Sequence, residues 1–174
     1  IFSKKFDIPV YANTETWNGM KKQQEKLEDK NIKTFSFDRF SIGDIVINPF
    51  SIPHDAANPC GFNLYHKDKK ISIATDIGHM NKDVINNLTN SNFLLLEANY
   101  EPDVLKCSTY PFHLKERIAS PVGHLSNIEE KKTINYLSGL TENINSALVK
   151  KLDIIGGELT GYLLLHKDPT QSMH

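Results

Sequence analysis

The sequence predicts a single layered domain that mixes α-helices and β-strands, of the α/β or α+β class. Stretches of β-type residues dominate the first part of the chain, and helical patterns alternate with strand-like runs in the later part. A chain of 174 residues is long enough for one domain with a sizeable core and short for two. We therefore expect one domain over residues 1–174.

The first elements are a strand, a helix and a β-rich stretch. The run IPVYA alternates in the manner of a short strand, and TETWNGMKKQQEKLEDK follows it with helical spacing of its apolar residues. Thr14 can cap this helix. Residues 33–54 then combine alternating aromatic and aliphatic residues, which predicts further strands.

The later elements alternate between the two types of secondary structure. A hairpin is predicted from GFNLYH and ISIATD around the polar turn KDKK, and NKDVINNLTN predicts a short helix. The continuous apolar run NFLLLEA predicts a buried strand. Two short helices and a longer one follow, the longer one starting with a capping box of Ser126 and Glu129. The run GYLLLH predicts a last strand.

Composition excludes some classes of function. The net charge of −1 gives no basic field over the whole chain, so nucleic acid would have to bind at a local patch. The longest apolar runs are too short to span a membrane. The two cysteines, Cys60 and Cys107, form no pair motif, which favours a reducing compartment. We expect a cytoplasmic protein that does not enter the membrane.

Two metal-type side chains flank the predicted hairpin. His54 precedes its first strand and Asp76 follows its second strand, and each strand of about five residues spans roughly 17 Å. The hairpin therefore returns Asp76 to the end from which His54 departs. Imidazole and carboxylate are a ligand set suited to Zn or Mn, although most isolated pairs of this kind form only a hydrogen bond.

Two more residues extend this constellation. Glu97 ends the predicted buried strand, and His124 lies two residues before the capped helix, whose free N–H groups favour a phosphate. A histidine beside such a site can protonate a leaving oxygen. The alternatives are a carboxylate at a surface strand end and a loop histidine that packs against the start of the helix.

Five segments follow one another in a fixed order: SIPHDAANPCGF, ISIATDIG, FLLLEANYE, YPFHLKERI and GHLSNIEE. Together they resemble the metallo-β-lactamase fold, specifically its YycJ/WalJ group of bacterial nucleic-acid exonucleases. The resemblance covers about residues 6–138. It implies an αββα sandwich with a site for two divalent metal ions, Zn or Mn, at one edge of the two sheets. A nucleic acid, DNA or RNA, would be the substrate.

The resemblance also assigns roles by position. His54 is similar to the third-motif histidine ligand, and Asp76 is similar to the aspartate that bridges both metals. Glu97 and His124 look like the catalytic pair, in which the histidine would act on the leaving phosphate oxygen and the glutamate would orient it. The group's nucleophile is a hydroxide that bridges the metals.

The sequence departs from the group at both ends. The first metal motif, His-x-His-x-Asp-His, does not occur, so we expect an N-terminally truncated member with an incomplete metal site. Residues 143–174 diverge from the group. His166 follows a strand comparable to the one that leads to the group's last histidine, and it is the third predicted metal ligand.

The leading hypothesis is a metal-dependent phosphodiesterase, most simply a 5′-to-3′ exonuclease. An acyl or thioester hydrolase of the same fold is the first alternative, disfavoured because a proton donor near a helix N-terminus suits phosphate better. A catalytically impaired fragment or partner-binding remnant is the second. The remaining histidines are interpreted as loop or surface residues, and Lys115 and Arg117 as a solvated helix face that could contact phosphate.

Overall fold

The computed structural model describes residues 2–140, 148–155 and 158–165. His166 lies outside the described residues, so its role as a ligand stays a prediction. The helices of the described part are α1 (Phe2–Phe6), α2 (Thr14–Gly19), α3 (Lys21–Gln24), α4 (Lys82–Leu88), α5 (Pro102–Cys107), α6 (Phe112–Ile118) and α7 (Asn127–Leu140). Its strands are β1 (Val10–Ala12), β2 (Ile32–Thr34), β3 (Phe40–Ile42), β4 (Ile45–Ser51), β5 (Cys60–His66), β6 (Lys69–Ala74), β7 (Phe93–Ala98), β8 (Leu148–Ile155) and β9 (Glu158–Leu165).

A mixed sheet of seven strands organises the fold. Its strands follow one another in chain order from β3 to β9, while β1 and β2 form a separate parallel pair. Neighbours from β3 to β6 are antiparallel, and β7 is parallel to both β6 and β8. Antiparallel and parallel pairs in one sheet, with helices between the later strands, confirm the predicted class.

The hairpin predicted between positions 54 and 76 is present. Strands β5 and β6 pair from Phe62 opposite Ile73 to His66 opposite Lys69. Only Lys67 and Asp68 form the turn, and Lys67 adopts a left-handed φ of 52°, as a two-residue hairpin turn requires. The turn is therefore tighter than the four-residue turn that the sequence predicts.

The long helix predicted after position 14 is divided. It ends at Gly19, and a second short helix, α3, begins at Lys21. Met20 between them has φ −114° and ψ 27°, outside the helical region. Glycine is a weak helix former, which explains the break. Helix α2 is capped by Asn13 rather than by Thr14, because the Asn13 side chain accepts from the N–H of Thr16 at 2.8 Å.

The core lies between the large sheet and the helices that follow its strands. Leu88 of α4, Leu96 of β7 and Leu137 of α7 are fully buried. Each such side chain contributes about 1.5–3 kcal/mol by leaving water. Ser126 caps α7 as predicted, since its Oγ accepts from the N–H of Glu129 at 3.2 Å, whereas the Glu129 carboxylate pairs with Lys132 at 2.7 Å. Within the described part, no helix is long and apolar enough to cross a membrane.

Candidate functional site

A buried glutamate lies at the centre of the site. Glu97, at the end of β7, is 1% exposed, and both of its carboxylate oxygens accept hydrogen bonds. Oε1 accepts from His124 Nδ1 at 2.7 Å and Asn99 Nδ2 at 2.9 Å. Oε2 accepts from the N–H of Ile77 at 2.9 Å and that of Leu125 at 3.5 Å. Burial of a carboxylate requires such partners, and these four bonds fix its position.

His124 is held by its side chain and by its backbone. Its ring bonds Glu97 through Nδ1, which leaves Nε2 for a substrate, and its N–H donates to the carbonyl of Ile118 at 2.9 Å. The hydrogen bond to Glu97 raises the pKa of His124 above its usual range, against the opposing effect of burial. A half-buried histidine with a raised pKa is suited to donate a proton near neutral pH.

Asp76 adds an exposed carboxylate to this buried pair. Its Oδ1 lies 3.9 Å from His124 Nδ1, and ligand atoms of Asp76, Glu97 and His124 all lie within 4.8 Å of one another. Asp76 has a left-handed φ of 54°, a conformation that aspartate tolerates better than most residues. The turn after β6 therefore presents this carboxylate at the edge of the sheet.

His54 reaches the same edge from the loop after β4. Its Nδ1 lies 2.9 Å from the carbonyl oxygen of Gly123. A carbonyl can only accept, so Nδ1 carries the hydrogen and the neutral ring has its lone pair on Nε2. Histidines that bind metals are usually oriented in this way. The ring centroids of His54 and His124 are 5.2 Å apart.

Close backbone contacts join the loops that carry these residues. The N–H of Asp55 donates to Val122 at 2.9 Å, and the N–H of Gly78 donates to Pro53 at 2.7 Å. A Cβ at Gly123 would overlap the carbonyl oxygens of Arg117 and Ile118. Glycine at position 123 is thus required for the approach of the His124 loop to α6.

An ion pair beside His54 was not predicted from the sequence. Arg117 of α6 donates to both oxygens of Asp55, at 2.6 Å and 3.0 Å. The same Asp55 has Oδ1 3.5 Å from His54 Nε2. The Arg117 guanidinium lowers the pKa of the Asp55 carboxyl. The sequence did show a carboxylate, Asp55, directly after the predicted ligand His54. It did not show that Arg117 pairs with this carboxylate, because Arg117 is 62 positions away.

The structure brings together four of the five predicted site residues: His54, Asp76, Glu97 and His124. Their donor atoms, carboxylate oxygen and imidazole nitrogen, are those that Zn and Mn accept, so the residues fit part of a metal site. His79 belongs to the exposed rim, where its Nδ1 donates to the carbonyl of Pro121 at 2.7 Å.

Two curated bacterial proteins align with most of the chain. Exodeoxyribonuclease YycJ of Bacillus anthracis is 32% identical over 128 residues, which cover 73% of this chain and 48% of that protein. Exodeoxyribonuclease WalJ of Streptococcus pneumoniae is 32% identical over 130 residues, with the same two coverages of 73% and 48%. The chain thus spans about half the length of these relatives. No protein-family model matches it.

Solved structures share the fold at lower identity. YhfI of Bacillus subtilis, a metallo-β-lactamase fold protein, matches 91% of this chain and 65% of its own, with a TM-score of 0.59 and 12% identity. A diphosphatase of the PhnP family matches over 91% of this chain and 57% of its own length, with a TM-score of 0.59 and 12% identity. The short form of human tRNase Z matches over 92% of this chain and 68% of its own length, with a TM-score of 0.54 and 15% identity. The chain therefore has the metallo-β-lactamase fold, and the part of its sequence that aligns is similar to the YycJ and WalJ exodeoxyribonucleases.

Proposed function

We propose that the protein is a metal-dependent phosphodiester hydrolase that acts on nucleic acid, and more narrowly a 5′-to-3′ exonuclease on DNA or RNA. The observation that carries this proposal is the 2.7 Å hydrogen bond between His124 and the buried Glu97, beside the exposed carboxylate of Asp76. The names of the two aligned relatives support the substrate class.

His124 acts as the general acid in this proposal. With Nδ1 bonded to Glu97, the protonated ring donates from Nε2 to the oxygen that leaves phosphorus. Glu97 fixes the ring and stabilises its positive charge before transfer. Its own oxygens are already occupied by four donors, so it serves as an orienting group rather than as a metal ligand.

His54 and Asp76 are left to hold metal. His54 offers Nε2, and Asp76 offers an exposed carboxylate. Divalent ions such as Zn or Mn bound there would supply an activated water and positive charge for the phosphate. Two ions, a third ligand at His166 and a cytoplasmic location stay predictions.

The test is metal-dependent cleavage of labelled single strands. We expect the purified chain with Zn or Mn to shorten DNA or RNA stepwise, and label at the 5′ or 3′ end to report the direction. Asp76→Asn and His124→Gln should each reduce the rate at least about 100-fold. His66→Gln, a change of an exposed histidine beside the hairpin turn, is the matched control.

Three outcomes would contradict the proposal. Cleavage that survives both Asp76→Asn and His124→Gln removes the assigned roles. Turnover of thioesters without cleavage of oligonucleotides favours the acyl hydrolase. No turnover of either substrate, with less than one metal bound per chain, favours a catalytically impaired remnant.

A further inference from the structure

The loop of residues 120–124, which ends in His124, lies against two other segments of the site. Three consecutive carbonyls of this loop accept hydrogen bonds from those segments: Pro121 from the ring of His79, Val122 from the N–H of Asp55, and Gly123 from the ring of His54. The Nδ1 atoms of two histidines are thus bound to one loop, at 2.7 Å and 2.9 Å. Of these two histidines, only His54 has a role in the proposed function.

The backbone that carries His79 is fixed by the residues before it. Ile77 is fully buried, and its N–H donates to Glu97 at 2.9 Å. A Cβ at Gly78 would overlap the backbone carbonyl of Pro121, so this segment passes directly against the 120–124 loop. The position of His79 is therefore set by the same contacts that build the site.

The ring of His79 is exposed and yet oriented. His54 has 12% of its side chain exposed, whereas His79 is a surface residue. Since Nδ1 of His79 donates to Pro121, Nε2 is the ring nitrogen that is left for a ligand, and no hydrogen bond joins it to a described residue. A side chain that is already held in one orientation loses less freedom when it binds.

The partner of this ring lies close to His124 along the chain. Pro121 precedes His124 by three residues, and three residues span at most about 11 Å. Phosphates follow one another about every 3.4 Å along a stacked strand. A strand whose cleaved phosphate lies at His124 therefore brings another phosphate to His79 within about three nucleotides.

The segments around this ring suit an anion. Residues 77–82 and 118–125 contain no aspartate or glutamate, and the first of them contains Lys82. The carboxylate that precedes them, Asp76, is the one that would hold metal in the proposed function. A protonated imidazole donates from both of its nitrogens, so Nε2 can bind a phosphate oxygen while Nδ1 keeps its bond to Pro121.

We propose that His79 binds a phosphate of the nucleic-acid strand other than the phosphate that is cleaved. His79 thereby helps to hold the strand in place, while His124 acts on the reacting phosphate. The inference rests on the proposed function in taking nucleic acid as the substrate.

Two substitutions separate this role from a purely structural one. His79→Asn keeps a side-chain N–H that can donate to Pro121, but it has no atom at the position of Nε2. His79→Arg keeps a cation at the surface but loses the short bond to Pro121. If His79 only anchors the loop, the asparagine variant behaves like the parent protein and the arginine variant is impaired. If His79 binds phosphate, the order is reversed.

The experiment measures binding of labelled single-stranded DNA and RNA by fluorescence anisotropy, with a chelator present so that nothing is cleaved. His79→Asn should melt like the parent protein, bind about tenfold more weakly and lose about one phosphate contact from the salt dependence. His79→Arg should bind at least as tightly as the parent protein. In the cleavage assay with metal, His79→Asn should raise KM more than it lowers kcat.

His66→Asn is the matched control. His66 is an exposed histidine at the turn end of β5, and the strand places it about 20 Å from Cys60 at the end near the site. Its substitution should leave binding unchanged.

Four results would overturn the inference. They are an affinity of His79→Asn equal to that of the parent protein, an equal loss in His66→Asn, no binding of either strand by the parent protein, and a loss of Zn or Mn affinity in His79→Asn, which would make His79 a metal ligand. Binding that depends on His79 without cleavage in metal contradicts the proposed hydrolase alone. Cleavage with a KM and an affinity independent of His79 contradicts this inference alone.

Discussion

Glu97 accepts from His124 across 2.7 Å while it is 1% exposed. The same carboxylate also accepts from the backbone of Ile77 and from Asn99. One side chain therefore joins the turn after β6, the segment after β7 and the loop before α7. The orientation of the His124 ring and the stability of this end of the fold depend on the same four hydrogen bonds.

Glu97→Gln should impair both properties. An amide presents one acceptor and one donor group, so two of the four N–H donors would meet an N–H group instead of an oxygen. We expect a loss of about 2–4 kcal/mol in the free energy of unfolding and at least about 100-fold in hydrolysis. Urea denaturation and single-strand cleavage measure the two effects.

Glu129→Gln provides the control for that change. Glu129 is an exposed residue of α7, paired with Lys132 at the surface. Its substitution should change stability by less than about 0.5 kcal/mol. If Glu97→Gln and Glu129→Gln were equally stable, the hydrogen bonds of Glu97 would contribute no more to stability than a surface glutamate does.

Lys70 makes the free energy of unfolding depend on pH in the alkaline range. Burial lowers the pKa of Lys70 from 10.5 to about 8, and its Nζ donates to the carbonyls of Asn87 and Thr89 at 2.6 Å and 2.7 Å. Between those two pKa values the unfolded chain binds more protons than the folded chain, so stability rises with pH. Because the carbonyls favour the charged amine, we expect a rise of only about 1–2 kcal/mol.

Lys70→Met should remove this rise between pH 8 and 10.5, whereas Lys69→Met should keep it, since Lys69 is exposed. Denaturation curves at several pH values compare the two variants. A rise of equal size in both would assign the effect to other groups.

Arg117→Lys should weaken metal binding. A lysine cannot hold both oxygens of Asp55, and Asp55 lies 3.5 Å from His54 Nε2. The Asp55 carboxylate, which lies beside the nitrogen that would bind metal, then loses its fixed position, and a change next to a ligand typically costs about 10- to 100-fold in metal affinity. Calorimetric titration with Zn or Mn, without nucleic acid, measures the metal affinity of the variant and of the parent protein. Arg39→Lys, distant in sequence and bonded to Asn48, should bind metal like the parent protein.

Two glycines should respond in opposite directions to alanine. Gly123→Ala forces a methyl group against the backbone carbonyls of Arg117 and Ile118, so we expect a loss of at least about 2 kcal/mol in stability. A methyl group at Gly139, in α7, would meet nothing within 4 Å, so Gly139→Ala should stabilise the helix by up to about 1 kcal/mol. Thermal melting of both variants decides; a gain for Gly123→Ala would exclude the close approach.

Local patterns in the sequence were sufficient for the hairpin, the buried strand β7 and the capped start of α7. Alternation, apolar runs and capping residues depend on neighbours a few positions apart, and the structure retains them. The hairpin also predicted that His54 and Asp76 reach one edge, where both lie beside His124.

Contacts between distant segments were beyond such patterns. The pair of Asp55 and Arg117 is 62 positions apart, and nothing near either residue specifies the other. The four donors on Glu97 come from three separate segments, two of them through backbone N–H groups that carry no signature in sequence. The interruption of the helix at Met20 was missed because helical spacing outweighed one glycine.

The parallel pairing of β6 and β7 has a consequence for folding. Strands β3 to β6 meet through contacts between near neighbours, whereas β7 must cross over through α4 before it can pair. Contacts of low sequence separation form faster than distant ones. His124 joins Glu97 from 27 positions further on. We expect a refolding chain to form the antiparallel strands β3 to β6 first and the contact between His124 and Glu97 last, so that this contact marks the end of folding.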